Sequence, residues 1–299
     1  MGLNRDYIGK EFPPQEHVVK PEAVAAYALA IGSRNASFFG TNGFDSGLSV
    51  IAPPSYTVTY ELPLLEKVWS DPGLNGGEEQ AKQNVLMLVH GDQNMKFYKP
   101  IKPGDKITYT AKIDDIEDKG SGELLKLSVL SKDEKGEKVT ESHWGLFIRG
   151  IGSGEKPKSS APKAAPAAPP EPPPLAFRDV IRVPGDVTYK YADASNDHNP
   201  IHVNEKVAKE AGLKGIIVHG LCTMSMTMKS IIESYLDADP GKLKALGVRF
   251  TAPVYPGDTL IVDGWETGEK NGNSAIAFEV TRESDGVKVI KGGTAEAAL

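Results

Sequence analysis

A nine-residue pattern occurs twice in this chain at a constant spacing, and it constrains the fold more than any other feature. Phe97-Tyr-Lys-Pro100-Ile-Lys-Pro103-Gly104-Asp105 is matched by Phe250-Thr-Ala-Pro253-Val-Tyr-Pro256-Gly257-Asp258, so that Phe, Pro and Pro-Gly-Asp all recur at an offset of 153. Repetition of this kind implies two copies of one unit. Each Pro-Gly-Asp reads as a tight turn, with proline presetting φ and glycine free to take a positive value. Alternating, β-prone sequence follows each turn, from Lys106 to Ile113 and from Thr259 to Trp265. Further strands are expected over Leu124 to Leu130, His143 to Arg149, Ala275 to Thr281 and Val287 to Ala295.

In the second copy Leu221, Met224, Met228, Ile231, Ile232 and Tyr235 follow a 3.6-residue period, which predicts a helix from about Leu221 to Tyr235. The counterpart in the first copy is expected to begin near Pro53-Pro54 and to end or kink at Pro63. Each half therefore reads as one long helix followed by an antiparallel sheet, an α+β unit. Two such units side by side would make one continuous sheet wrapped around two helices.

Composition marks the joint. Ser153 to Pro174 holds eight of the 22 prolines and no aromatic or β-branched residue. Such a stretch buries too little apolar surface to offset its ordering entropy and is expected to be a polyproline-like tether. The expected organisation is thus 1–152, a linker over 153–174, and 175–299. No run of about 18 apolar residues exists, so no spanning helix is expected. MGLNRDYIGK lacks an apolar leader and AEAAL is not a peroxisomal tag, so a cytoplasmic location is expected. The single cysteine, Cys222, excludes an internal disulfide and a Cys-rich zinc site. A net charge of -6 without a basic run argues against a nucleic-acid partner.

The densest polar cluster is Tyr191-Ala-Asp193-Ala-Ser195-Asn196-Asp197-His198-Asn199-Pro200-Ile201-His202, read as a turn-forming stretch. A short helix with Asn204 as N-cap and Gly212 as its stop follows. Asp197 and His202 flank an Asn-Pro turn that would fold their side chains together. A carboxylate beside an imidazole can position one water and move protons near neutral pH. Gly220 opens the predicted helix, whose unpaired N–H groups and dipole suit an oxyanion such as a thioester enolate. The competing reading makes Asp197 a turn residue, and His202 and His219 structural. Neither Ser195 nor Cys222 has the surroundings of a nucleophile: there is no G-x-S-x-G, and nothing activates the thiol. Asp197, His198 and His202 lack the H-E-x-x-H spacing, and no metal is assigned.

The run Tyr191-Ala-x-x-Ser195-x-Asp197-x-Asn199-Pro200-Ile201-His202, with Val218-His219-Gly220 downstream, resembles the MaoC-like family, and more closely its type-2, (R)-specific enoyl-CoA hydratases. Tyr27-Ala-Leu-Ala-Ile-Gly32, Ala52-Pro-Pro-Ser-Tyr56 and Leu88-Val-His-Gly91 resemble the companion half of double-repeat members. The resemblance implies a double hot-dog fold and reversible hydration of a trans-2-enoyl-CoA to an (R)-3-hydroxyacyl-CoA. No metal or redox cofactor is implied, and coenzyme A enters only as part of the substrate. It implies that Asp197 and His202 form the catalytic dyad, that Asn199 supports their geometry, and that the Gly220 N–H binds the thioester oxygen. Asn196 stands where many members have glycine, and asparagine is the non-glycine residue best able to take the left-handed conformation.

Aligning Tyr27 with Tyr191 sets Ser33 against Asp197, Asn35 against Asn199 and Phe38 against His202. A separate alignment sets Pro53, which has no N–H, against Gly220. One active site per chain is therefore expected, in the second half. His219, Arg249, Phe38 and Tyr56 are the candidate substrate contacts, with Arg249 facing CoA phosphates and the two aromatics giving room to an acyl chain; core packing is their competing reading. A homodimer is compatible with the double repeat. The alternatives are a dehydratase of a branched, dicarboxylic or carrier-protein-linked acyl thioester, a non-catalytic acyl-CoA-binding hot-dog protein, and a hot-dog thioesterase.

Overall fold

The computed structural model describes residues 2–39, 50–155 and 173–298. Most of the expected linker, 156–172, lies outside the described residues. The first repeat runs β1 (Gln15–Val18), α1 (Pro21–Ala30), α2 (Val58–Trp69), α3 (Pro72–Asn75), α4 (Glu78–Met87), β2 (Leu88–Phe97), β3 (Lys106–Asp118), β4 (Gly122–Lys132) and β5 (Lys138–Arg149). The second runs β6 (Phe177–Arg182), α5 (Val187–Ser195), α6 (Glu205–Glu210), α7 (Gly220–Tyr235), β7 (Leu243–Phe250), β8 (Thr259–Lys270), β9 (Asn273–Arg282) and β10 (Lys288–Ala297).

All ten strands form one sheet in the order β1-β3-β4-β5-β2-β7-β10-β9-β8-β6. The second half of that order mirrors the first, and the two units meet where β2 pairs antiparallel with β7. In this pairing Asn94 faces Gly247, which are equivalent positions at the 153-residue offset, so a pseudo-twofold axis passes between them. A Cβ at 247 would sit 2.5 Å from Asn94 Oδ1, so Asn94 would have to shift to admit a side chain there. This is the continuous sheet that the sequence predicts, in a double hot-dog arrangement. β2 and β7, which join the halves, are not legible as alternating strands, and the edge strands β1 and β6 are too short to announce themselves.

The Pro-Gly-Asp turns do the same work in both copies. Gly104 and Gly257 take φ of 93° and 89°. Asp105 Oδ2 accepts from the Lys102 N–H and Asp258 Oδ2 from the Tyr255 N–H, both at 2.8 Å. Each turn thus aims its chain into the strand that follows.

The core lies between the sheet and the helices it wraps. Alternate residues of β4, Leu125, Leu127 and Val129, are fully buried. α7 is buried nearly all round, which its polar residues tolerate by bonding to their own preceding turn. Ser225 Oγ donates to Leu221 O at 2.7 Å and Thr227 Oγ1 to Thr223 O at 2.8 Å. Near the middle of the molecule the equivalent tyrosines Tyr27 and Tyr191 meet, with rings 5.7 Å apart, and Tyr27 Oη is 2.9 Å from Ser225 Oγ.

α2 does not end at Pro63, one of the two outcomes expected there. A 3₁₀ turn over Pro54–Thr57 leads into it, and the helix continues through Pro63 to Trp69. Proline there removes one N–H and presses on the carbonyl of Thr59 four residues earlier. That carbonyl finds another donor, described below, and burial of Leu62, Leu64, Leu65 and Val68 holds the turns beyond Pro63.

Candidate active site

α5 carries the chain to the site and stops at Asn196, which takes φ 62°. Tyr191 to Ser195, expected as part of a turn, is therefore the last stretch of a helix. Ser195 Oγ donates to the Tyr191 carbonyl at 2.6 Å and accepts the Asp197 N–H at 3.3 Å. It shapes the helix end, which is a structural use of the hydroxyl. Asp197 Oδ1 accepts the Asn199 N–H at 3.2 Å, and Asn199 Oδ1 accepts the Ile201 N–H at 3.2 Å. Asn199 thereby caps the 3₁₀ turn Pro200–His202 and brings His202 back toward Asp197.

His202 is 8% exposed, and its Nδ1 lies 2.8 Å from the Ile217 carbonyl. A carbonyl only accepts, so Nδ1 carries the hydrogen and Nε2 presents a lone pair. Burial holds the His202 pKa below its ordinary value, while the charge of Asp197 pulls the other way. Asp197, His202 and His219 each bring one polar side-chain atom within 4.8 Å of the other two.

His219 is 1% exposed, so it is not free to meet substrate as expected. Its ring stacks on His202 with centroids 3.8 Å apart and planes 28° apart. Its Nε2 donates to the Asp197 carbonyl at 3.0 Å. Burial, and then the proximity of His202, push its pKa down to about 2, so it stays neutral. One nitrogen of each ring is committed to a carbonyl. His198 is exposed and outside the cluster.

Gly220 follows directly as the first residue of α7. The first-turn N–H groups of a helix have no intrahelical acceptor and sit at the positive end of its dipole. A Cβ at 220 would lie in van der Waals contact with the Phe250 ring at 3.4 Å, which places that ring beside the helix start. Arg249, one residue before Phe250, is exposed on β7 opposite Asp92 and Lys291. Cys222 is fully buried, and burial pushes its thiol pKa up, which leaves it protonated and unreactive.

The first repeat places two ionisable groups toward the site. His90, on β2, stacks on Trp144 at 5.0 Å and meets Phe250 edge-on at 5.2 Å. Burial lowers its pKa to about 4, against the opposing pull of the Asp92 carbonyl, Gln93 and Asp197. Glu66, on α2, is pushed above the usual carboxylate range by burial and then by Asp197. Neither was singled out from the sequence; Leu88-Val-His-Gly91 carried the only signal, and it pointed to kinship without assigning a role.

At the equivalent place in the first repeat, Ser33, Asn35 and Phe38 stand where the acid, the amide and the imidazole stand in the second. Phe38 is 2% and Tyr56 1% exposed, and Tyr56 Oη lies 3.2 Å from His17 Nε2. Both are packed in the core. A shallow cleft of about 30 Å³ between the two repeats is lined by Ile51, Pro53, Phe97, Lys99, Ile101 and Leu243, and neither Phe38 nor Tyr56 contributes to it.

Comparison with known proteins bears on family and fold. Residues 167–288 match the family described as MaoC like domain, and residues 17–150 match MFE-2 hydratase 2 N-terminal domain. "Probable enoyl-CoA hydratase 2" of Dictyostelium discoideum is 28% identical over 295 residues, covering 96% of this chain and 94% of that protein. "Peroxisomal multifunctional enzyme type 2" of Mus musculus is 31% identical over 270 residues, covering 84% of this chain. The chain spans 36% of that relative's length. The crystal structure of a MaoC-like dehydratase from Phytophthora Capsici superimposes with a TM-score of 0.75 at 26% identity, covering 98% of this chain and 96% of that one.

Proposed function

The chain belongs to the MaoC-like family, with a MaoC like domain behind an MFE-2 hydratase 2 N-terminal domain, and on that premise we propose that it hydrates trans-2-enoyl-CoA thioesters reversibly to (R)-3-hydroxyacyl-CoA. The observation that carries this reading is the pairing of Asp197 with a His202 whose Nδ1 hydrogen is committed to Ile217. Nε2 is then the free basic atom, and Asp197 is the only carboxylate in that three-residue cluster.

In the proposed mechanism the thioester oxygen lies against the Gly220 N–H, which polarises the conjugated double bond. Water held between Asp197 and His202 attacks C3. His202 Nε2 takes its proton, which passes by way of Asp197 to C2, so that the water's two hydrogens end on the new hydroxyl and on C2 and both groups are restored. Dehydration runs through the same groups in reverse. The chemistry asks for no metal or redox cofactor. The second repeat carries the reaction. The first completes the sheet and supplies room for the acyl chain.

The test is to incubate the protein with crotonyl-CoA and longer trans-2-enoyl-CoAs and to analyse the products by chiral chromatography. An (R)-3-hydroxyacyl-CoA without free thiol supports the reading. Free CoA would mean a thioesterase, and binding without turnover would mean an acyl-CoA carrier.

A further inference from the structure

Pro63 has no N–H, so the Thr59 carbonyl near the start of α2 lacks its usual donor four residues on. Asn196, in the other repeat, supplies one: its Nδ2 donates to Thr59 O at 3.2 Å. Asn196 is the residue immediately before Asp197. It holds φ 62°, and the equivalent slot in the first repeat is filled by Gly32 at φ 71°. Glycine thus meets the backbone requirement but offers no side chain to bind. The first repeat's own loop is tied across the molecule in a parallel way, with Asn35 Nδ2 donating to Ala238 O at 2.6 Å just beyond α7. Glu66, one turn after Pro63, responds to the charge of Asp197, so this face of α2 lies against the catalytic loop.

We propose that Asn196 is a positioning residue, whose bond to the carbonyl freed by Pro63 fixes the Asp197 loop on the first repeat. The first repeat then does more than complete the sheet: it sets where the carboxylate stands relative to His202. This rests on the hydratase reading for its kinetic arm only.

The experiment compares wild type, Asn196→Gly, Pro63→Ala and the double variant in the full chain. The readouts are kcat and KM on a trans-2-enoyl-CoA, Tm, and amide hydrogen exchange over residues 196–202. Asn196→Gly keeps the backbone conformation and removes the amide. Its kcat should fall about five-fold with KM within about two-fold, and exchange in 196–202 should quicken. In the double variant the alanine placed at position 63 brings back an N–H, which re-forms the helical bond to the Thr59 carbonyl. Tm should then recover while kcat stays low, because the tether is still missing. Pro63→Ala alone should keep kcat within about two-fold, since a carbonyl can accept two bonds. The proposal is overturned if Asn196→Gly retains wild-type kcat and exchange, or if kcat recovers together with Tm in the double variant. If wild type turns over no enoyl-CoA, the hydratase reading fails, and unchanged or quickened exchange in Asn196→Gly still decides the positioning claim.

Discussion

The imidazole of His219 touches both members of the proposed dyad: it stacks on His202 at 3.8 Å and donates through Nε2 to the Asp197 carbonyl at 3.0 Å. It is held neutral by burial, so it has no proton to trade near neutral pH. Its part is to fix the distance between acid and base. His219→Phe keeps a flat ring and removes the N–H donor. We expect kcat to fall at least about ten-fold with little change in KM, since the ground-state contacts survive and the transition-state geometry does not. Steady-state kinetics alongside far-UV circular dichroism check this. Wild-type kcat in a folded variant would remove His219 from the account.

The pH profile follows from His202. Burial lowers its folded-state pKa below 6.5, and a general base works only when unprotonated. The acid limb of kcat/KM is therefore expected below pH 6.5. Stability moves in the same direction. His90, His202 and His219 all have depressed folded pKa values, so their contribution is complete above pH 6.5 and is lost as pH falls below it. An acid limb well above 6.5 would contradict the burial argument.

Glu61 acts with the opposite sign. It is fully buried on α2, where Oε1 accepts from Ser142 Oγ at 2.8 Å and Oε2 from Trp144 Nε1 at 3.0 Å. Desolvation outweighs those bonds and raises its pKa to about 7. The protonated form is the one the fold prefers, so stability is greatest below the unfolded value and is lost as pH rises toward 7. Glu61→Gln should remove that loss, which is on the order of 3 kcal/mol. Denaturant midpoints at pH 5 and pH 8 measure it. Relative to wild type the variant should be favoured more at pH 8 than at pH 5, and the reverse order would refute the assignment.

Cys222→Ser should retain activity within about two-fold, because the thiol is buried and protonated. Thiol titration should be slow in the native protein and fast in denaturant. Rapid native labelling with loss of turnover would reopen the question of a cysteine nucleophile.

What the sequence made legible followed from strong local rules. The Pro-Gly-Asp turns, the alternation of β3, β4, β8 and β9, and the periodicity of α7 all survive in the structure because local preference and burial agree there. The passage of α2 through Pro63 was not legible, since its missing bond is made good by Asn196, 137 positions beyond Thr59. β2 was hidden because Gln93 interrupts its buried face of Met95 and Phe97 and the register shifts at Gly91, and its place is set by pairing with β5 and β7. At the site, Asp197, Asn199 and His202 stood out as chemistry packed into one turn. The inward orientation of His219 and the approach of His90 and Glu66 depend on tertiary contacts, which spacing does not encode.

The central claim is that Asp197 and His202 together hydrate an enoyl thioester. Its most direct test is the absorbance of the conjugated thioester on mixing crotonyl-CoA with wild type and with Asp197→Asn, both confirmed to be folded. The account expects the band to decay with wild type, without release of thiol, and at least about 100-fold more slowly with the variant. Decay at the same rate in both would contradict it.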